Sequence, residues 1–161
     1  MRIQVSIKVD RPPEVVWPVL VDVERWPEWT ASITEVRRMD RASLDVGSIV
    51  RIRQPRLKTM DWRVTEFRKG RYFVWENRSP GVLTVASHTI REQESGSIVD
   101  LTIDMTGWLS PLAGFLFGKL TRRYMEMEAQ GLKRRSEALL VFRDLKARNA
   151  PSKETHNGVS A

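Results

Sequence analysis

The feature that most limits what this chain can fold into lies towards its C-terminal end. Residues 111–146 form one run rich in good helix formers, about ten turns at 3.6 residues per turn. At about 100° per residue, Leu116, Leu120, Tyr124, Met127, Gly131, Ala138 and Phe142 fall on one side. Lys119, Arg122, Glu126, Lys133 and Glu137 fall on the other. A helix that long with one apolar side needs a large concave partner, and the rest of the chain offers only a sheet.

That sheet is legible as alternation. Ile3, Val5, Ile7 and Val9 alternate with Arg2, Gln4, Ser6 and Lys8, the period of a half-buried strand. Pro12 and Pro13 then suit a helix start. The segment 14–29 is helical in character, but Pro18 and Pro27 each remove a backbone donor, so two short helical pieces are expected. Further strands follow at 32–39, around Val50, Ile52 and Gln54, around Met60, Trp62 and Val64, and around Phe73, Trp75 and Asn77. Lys69-Gly70 and Pro80-Gly81 mark turns. Residues 82–91 and 97–106 complete the set, with Val99, Leu101, Ile103 and Met105 on one face. Short sequential strands joined by tight turns imply an antiparallel meander rather than βαβ units.

Composition excludes several chemistries. The chain has 161 residues, which favours one domain. It has no cysteine, so disulfides, thiolate metal sites and cysteine nucleophiles are absent. Its two histidines, His88 and His156, do not give the ligand spacing of a zinc site. No metal and no cofactor is expected, and there is no phosphate-cradling glycine loop or Gly-x-Ser-x-Gly elbow. The opening MRIQVSIKVD lacks the apolar core of a signal peptide. The apolar stretch 107–120 is interrupted by Ser110, Pro111 and Lys119, too broken to span a bilayer. A cytoplasmic protein is therefore expected. The net charge of +7 suggests acidic partners such as nucleic acid or anionic lipid. Arg51, Arg53, Arg56, Lys58 and the cluster Lys133-Arg134-Arg135 match no nucleic-acid motif, so a solvated surface is the simpler reading and no specific nucleic acid is expected. Oligomeric state is not encoded in any motif. The segment APSKETHNGVSA has no core-forming pattern, and 147–161 is expected to be a disordered tail.

The order of elements resembles the START-like, helix-grip superfamily (SRPBCC), most closely its polyketide cyclase/dehydrase-like branch. The matching text is PPEVVWPVLVDVERWPEWT at 12–30, WRVTEF at 62–67, FVW at 73–75, PGVLTVASHTI at 80–90, MTGWLSPLAG at 105–114 and EAQGLKRRSE at 128–137. The likeness covers residues 1–146. It implies an α+β fold in which a curved antiparallel sheet of about seven strands wraps a long C-terminal helix, with two short helices after the first strand and a ligand cavity between helix and sheet. Members bind lipids, sterols, polyketides and hormones, and only some are enzymes. The resemblance brings no universal catalytic residue.

Strand phase supplies the candidate site. Gln54, Trp62, Trp75 and His88 lie in phase with the apolar faces of their strands and would look towards the long helix. A single bulge would exchange the faces. His88 is either a core histidine satisfied internally or the acid–base of an enzyme, since a buried imidazole needs hydrogen-bond partners. On the helix, Tyr124, Glu128 and Arg135 fall towards the sheet-facing side. They form either the polar end of a cavity or, for the charged pair, an ion pair at the helix edge. Gly131 either permits close packing or opens space. Trp17, Trp26 and Trp29 are expected to anchor the short helices, whereas Trp62 and Trp75 could stack on a flat ligand or simply fill the cavity. Trp108, Leu109, Leu112, Phe115, Leu116 and Phe117 are expected mostly to pack under the short helices; exposed, they would form a cavity mouth or touch a membrane surface.

Three functions follow. The first is binding of a small hydrophobic molecule, lipid, polyketide-like or aromatic, in the helix–sheet cavity. The second is a cyclase or dehydratase using His88 as acid–base, with Glu128, Tyr124 or Arg135 polarising a carbonyl. The third is peripheral docking on a lipid surface.

Overall fold

A computed structural model describes residues 1–40 and 42–148, with side chains through Leu139. The elements are β1 (Arg2–Val9), α1 (Pro13–Val21), a 3-10 helix (Val23–Glu28), β2 (Glu35–Arg38), β3 (Ile49–Arg53) and β4 (Met60–Arg68). They continue with β5 (Tyr72–Ser79), β6 (Val82–Gln93), β7 (Gly96–Thr106) and α2 (Ser110–Arg148). All seven strands pair antiparallel in the order β1-β7-β6-β5-β4-β3-β2. The chain is therefore an α+β helix-grip fold: one curved meander, closed at its far edge by β1, around one long helix.

Alternation places the core as expected. Val50 and Ile52 on β3, Trp62 and Val64 on β4, Phe73, Trp75 and Asn77 on β5, and Ala86, His88 and Ile90 on β6 are all buried. A bulge interrupts β4 between Val64 and Glu66. It absorbs one residue, so Phe67 pairs with Phe73 and shares the inner face with Trp62 and Val64 despite the odd spacing. The strand expected at 32–39 contracts to Glu35–Arg38, because Thr34 and the residues before it form a connection in which Ile33 is buried.

Two short helical pieces do form, but neither proline divides them. Pro13 opens α1, which continues through Pro18 and ends before Asp22. The lost hydrogen bond is tolerated because Val16, Trp17, Val19 and Leu20 are all buried. Trp26 in the 3-10 helix is locked by its Nε1, which donates to the Leu20 carbonyl at 3.0 Å.

The buried stripe of α2 differs from the expected one. Thr121, Tyr124, Met125, Glu128, Ala129, Leu132 and Ser136 are buried, whereas Leu116 and Ala138 are exposed. The face is turned by about 100°, one residue step, because three inward positions are polar and the apolar N-terminal turns point outward. Phe142 and residues 149–161, including the proposed tail, lie outside the described side chains and residues; positions 147 and 148 belong to α2.

The expectation that the run 108–117 packs under the short helices is corrected. Trp108, Leu112, Phe115, Leu116 and Phe117 are exposed. The short segment instead meets α2 at Gly131, where an added Cβ would stand 2.3 Å from the Trp29 carbonyl oxygen. That point is about 22 Å along the axis from Leu116. Gly131 therefore permits close packing rather than opening space.

Candidate functional site

The first half of α2 stands off the inner face of the sheet and leaves a cavity of about 1110 Å³. Its walls are mainly apolar, from Ile52, Trp62, Trp75, Ala86 and Ile103 on the strands and Met125 on the helix. Residues 54–62 and 77–82 form two sides, and Ala113 to Glu128 of α2 form a third.

Aromatic rings build the inner wall. Trp62 and Trp75 lie 5.6 Å apart between ring centroids, and Trp75 meets Phe73 edge-on at 5.1 Å. Phe73 stacks on His88 at 4.4 Å and 11° between planes. Trp26 approaches both Trp75, at 5.5 Å, and His88, at 5.4 Å. These rings fix the imidazole on three sides, since each pair sits at a distance typical of aromatic contact.

The fourth side of His88 is polar. Its Nε2 lies 3.0 Å from Glu128 Oε1, and both side chains are nearly inaccessible. Nδ1 is buried without a partner among the described residues. The strand phase that turns His88 inward and the helix turn that aims Glu128 at it thus create one buried acid–base pair at the cavity wall.

The remaining candidates divide. Gln54 lines the cavity just beyond β3, half-buried. Tyr124 also lines it, but its hydroxyl donates to the Pro55 carbonyl at 2.5 Å, so it ties α2 to the β3–β4 connection. Arg135 is not among the lining residues. Its guanidinium lies 3.3 Å from Glu28, so it pairs at the helix edge with that residue and not with Glu128, which faces His88. Six of the seven candidates, Gln54, Trp62, Trp75, His88, Tyr124 and Glu128, therefore meet at one cavity.

Two further wall residues are not among the sequence candidates. Trp26 is expected only to pack, yet it also lines the cavity. Asn77 is buried there, with its Nδ2 donating to the Asp61 carbonyl at 2.9 Å and its Oδ1 accepting from Ser79. Its phase with Phe73 and Trp75 is the available signal. Near the rim, Arg51 holds Asp61 in a two-bond pair at 2.7 and 2.8 Å. Those hydrogen bonds outweigh the opposing effect of burial and, with the lesser help of the Arg51 charge, keep the Asp61 carboxyl below the usual carboxylate range. Other basic residues considered for nucleic acid are likewise paired: Arg53 with Glu35, and Lys133 with Glu137. Among the described residues no helix is long and apolar enough to cross a membrane.

Comparison with known proteins agrees with this architecture. Among solved structures, Zhui aromatase/cyclase from Streptomyces sp. R1128 superimposes with a TM-score of 0.70 at 14% identity, covering 94% of this chain and 99% of that one. A START superfamily protein from Mycobacterium smegmatis gives 0.70 at 16% identity, covering 86% and 98%. A protein from Thermus thermophilus gives 0.69 at 16% identity, covering 86% and 98%. At these identities the likeness shows the fold alone. No curated protein sequence matches the chain. The family model described as polyketide cyclase / dehydrase and lipid transport matches residues 1–137, and the chain belongs to that family, with its hydrophobic-ligand-binding fold.

Proposed function

We propose that the chain binds a small hydrophobic molecule with a flat, ring-containing portion in the helix–sheet cavity. The observation that carries this reading is the cavity itself. At about 1110 Å³ it exceeds the 300–1,000 Å³ of ordinary small-molecule pockets, and its walls are apolar and aromatic. Trp62 and Trp75 supply ring faces, and Glu128, His88 and Asn77 are among the polar wall residues that would orient a hydroxyl or carbonyl. Native mass spectrometry of freshly purified protein, followed by identification of released molecules, tests it. The reading expects a reproducible adduct that is apolar and cyclic or lipid-like. A clean mass together with failure to take up any apolar probe contradicts it.

The His88–Glu128 pair supports a second reading, an acid–base enzyme of the cyclase or dehydratase type. In a dehydration, a base takes a proton from the carbon next to a carbonyl, and an acid protonates the departing hydroxyl, which leaves as water. A histidine hydrogen-bonded to a carboxylate at 3.0 Å can hold and return one proton in such a sequence. The structural neighbour named as an aromatase/cyclase gives this reading a substrate class, polyketide-like or aromatic. His88→Ala separates the two. An enzyme loses turnover far more than affinity, whereas a carrier changes in affinity alone.

A further inference from the structure

The outward face of α2 changes character along its length. Its first two turns present Leu112, Phe115 and Leu116, with Phe115 86% exposed. Lys119, Arg122 and Arg123 follow on the same face at helical spacing, all exposed. Trp108, 80% exposed, stands in the turn just before the helix. Residues 107–123 include no aspartate or glutamate. None of the three cations has an acidic partner among the described residues. A contiguous apolar patch of large side chains in contact with water is costly unless something covers it.

The patch is held in place. The Leu109 amide donates to the Gly81 carbonyl at 3.0 Å. Gly81 has φ +74°, and the place where its Cβ would stand is 2.9 Å from Trp108. The β5–β6 turn therefore backs the Trp108 turn. Ala113 and Phe117, beside the exposed face, line the cavity. The patch therefore adjoins the cavity wall.

We propose that this face docks the protein on an anionic lipid bilayer. Trp108, Leu112, Phe115 and Leu116 enter the boundary between headgroups and acyl chains. Lys119, Arg122 and Arg123 meet the lipid phosphates. Seven residues separate Phe115 from Arg122, about 10 Å along the helix, comparable to the 5–10 Å depth at which interfacial apolar faces bury. Charge argues against a second copy as the occupant. A two-fold pairing through this face would set the three cations of each copy against those of the other if the helices ran parallel, and would leave all of them without an acidic partner on the face if they ran antiparallel, because residues 107–123 carry no carboxylate. Docking there would bring that wall of the cavity against the lipid, but the docking surface does not rest on the cavity reading.

Sedimentation with phosphatidylcholine vesicles, with and without phosphatidylglycerol, tests the proposal. The full chain should sediment with the phosphatidylglycerol vesicles and far less with the neutral ones. Phe115→Asp and Trp108→Ser should each weaken binding by roughly tenfold or more, because the buried apolar area drives insertion. Lys119→Glu with Arg122→Glu and Arg123→Glu should abolish the preference for anionic lipid and its sensitivity to salt. All these side chains are exposed, so melting temperature should hold, which separates lost docking from lost fold. Ala86→Phe, which fills the cavity, should leave sedimentation unchanged. No sedimentation with either vesicle, or sedimentation indifferent to Phe115→Asp, overturns the proposal. A dimer in solution that Phe115→Asp dissolves, with no vesicle binding, overturns it in favour of self-association.

Discussion

His88 and Glu128 are buried polar groups that meet in one hydrogen bond, and what that bond contributes separates structural from chemical roles. Glu128→Leu removes the acceptor and leaves the imidazole without a partner at Nε2. The expected loss is about 1–3 kcal/mol in urea unfolding. The double variant His88→Phe with Glu128→Leu should recover to within about 1 kcal/mol of the native chain, because a buried polar pair is often matched by apolar side chains of similar volume. If the double variant stays as unstable as the single one, the pair is a structural requirement and its chemical role loses its motivation. Each residue was legible alone, His88 from the strand phase and Glu128 from the helix wheel. Their meeting was not, since 40 residues separate them and only the crossing of α2 over β6 brings them to 3.0 Å. Arg135 shows the converse. A wheel gives angle and not axial position, and Arg135 lies seven residues beyond Glu128, about 10 Å further along the helix, past the cavity and beside Glu28.

Elements are positioned by features that a hydrophobic pattern does not carry. The inward stripe of α2 includes Thr121, Glu128 and Ser136, while its first turns expose Leu112 and Phe115, so periodicity alone places the wrong face inward. The bulge in β4 similarly hides Phe67 from a period-2 reading. Gly131 fixes how closely the 3-10 segment approaches α2. Gly131→Ala would force its Cβ against the Trp29 backbone and should destabilise the chain by about 1–3 kcal/mol. Gly118→Ala meets only the flexible Met1 side chain and should be neutral or stabilising, by up to about 1 kcal/mol of helix propensity. Thermal melts of the two variants check the contrast. A second clamp joins the end of β1 to α2. Glu137 accepts from the Asp10 amide at 2.9 Å and from Lys133, whose ammonium also donates to the Lys8 carbonyl. Burial pushes the Glu137 carboxyl up, but these hydrogen bonds and the nearby Lys133 and Arg11 charges outweigh it and hold it below the ordinary glutamate value. A carboxyl depressed on folding contributes stability above its unfolded pKa and loses it as pH falls through the folded one. Glu137→Gln should therefore be less stable than the native chain at neutral pH and should lose less on acidification. Urea midpoints across the acid range decide this, and parallel curves for the two proteins would contradict the clamp.

For the molecule as a whole, a helix laid in a curved sheet can fill the space between them. Here the second half of α2 does so, with Leu132 fully buried, and the first half does not. That architecture was readable from the order of seven strand segments, of which 32–39 alternates poorly, and one long helix. The wall was readable in part: Trp62, Trp75, Gln54 and His88 follow from phase, whereas Trp26 reaches it from the 3-10 helix and follows from no periodicity. The cavity lies between elements, so no single segment reveals its volume. The most direct measurement is titration of a fluorescent apolar probe into the native chain and into Ala86→Phe, whose ring would occupy the cavity from a buried wall position. The account predicts saturable binding to the native chain, and binding weakened by roughly tenfold or more in a variant that still unfolds cooperatively. Equal affinity in a folded variant, or no uptake by the native chain, would contradict it.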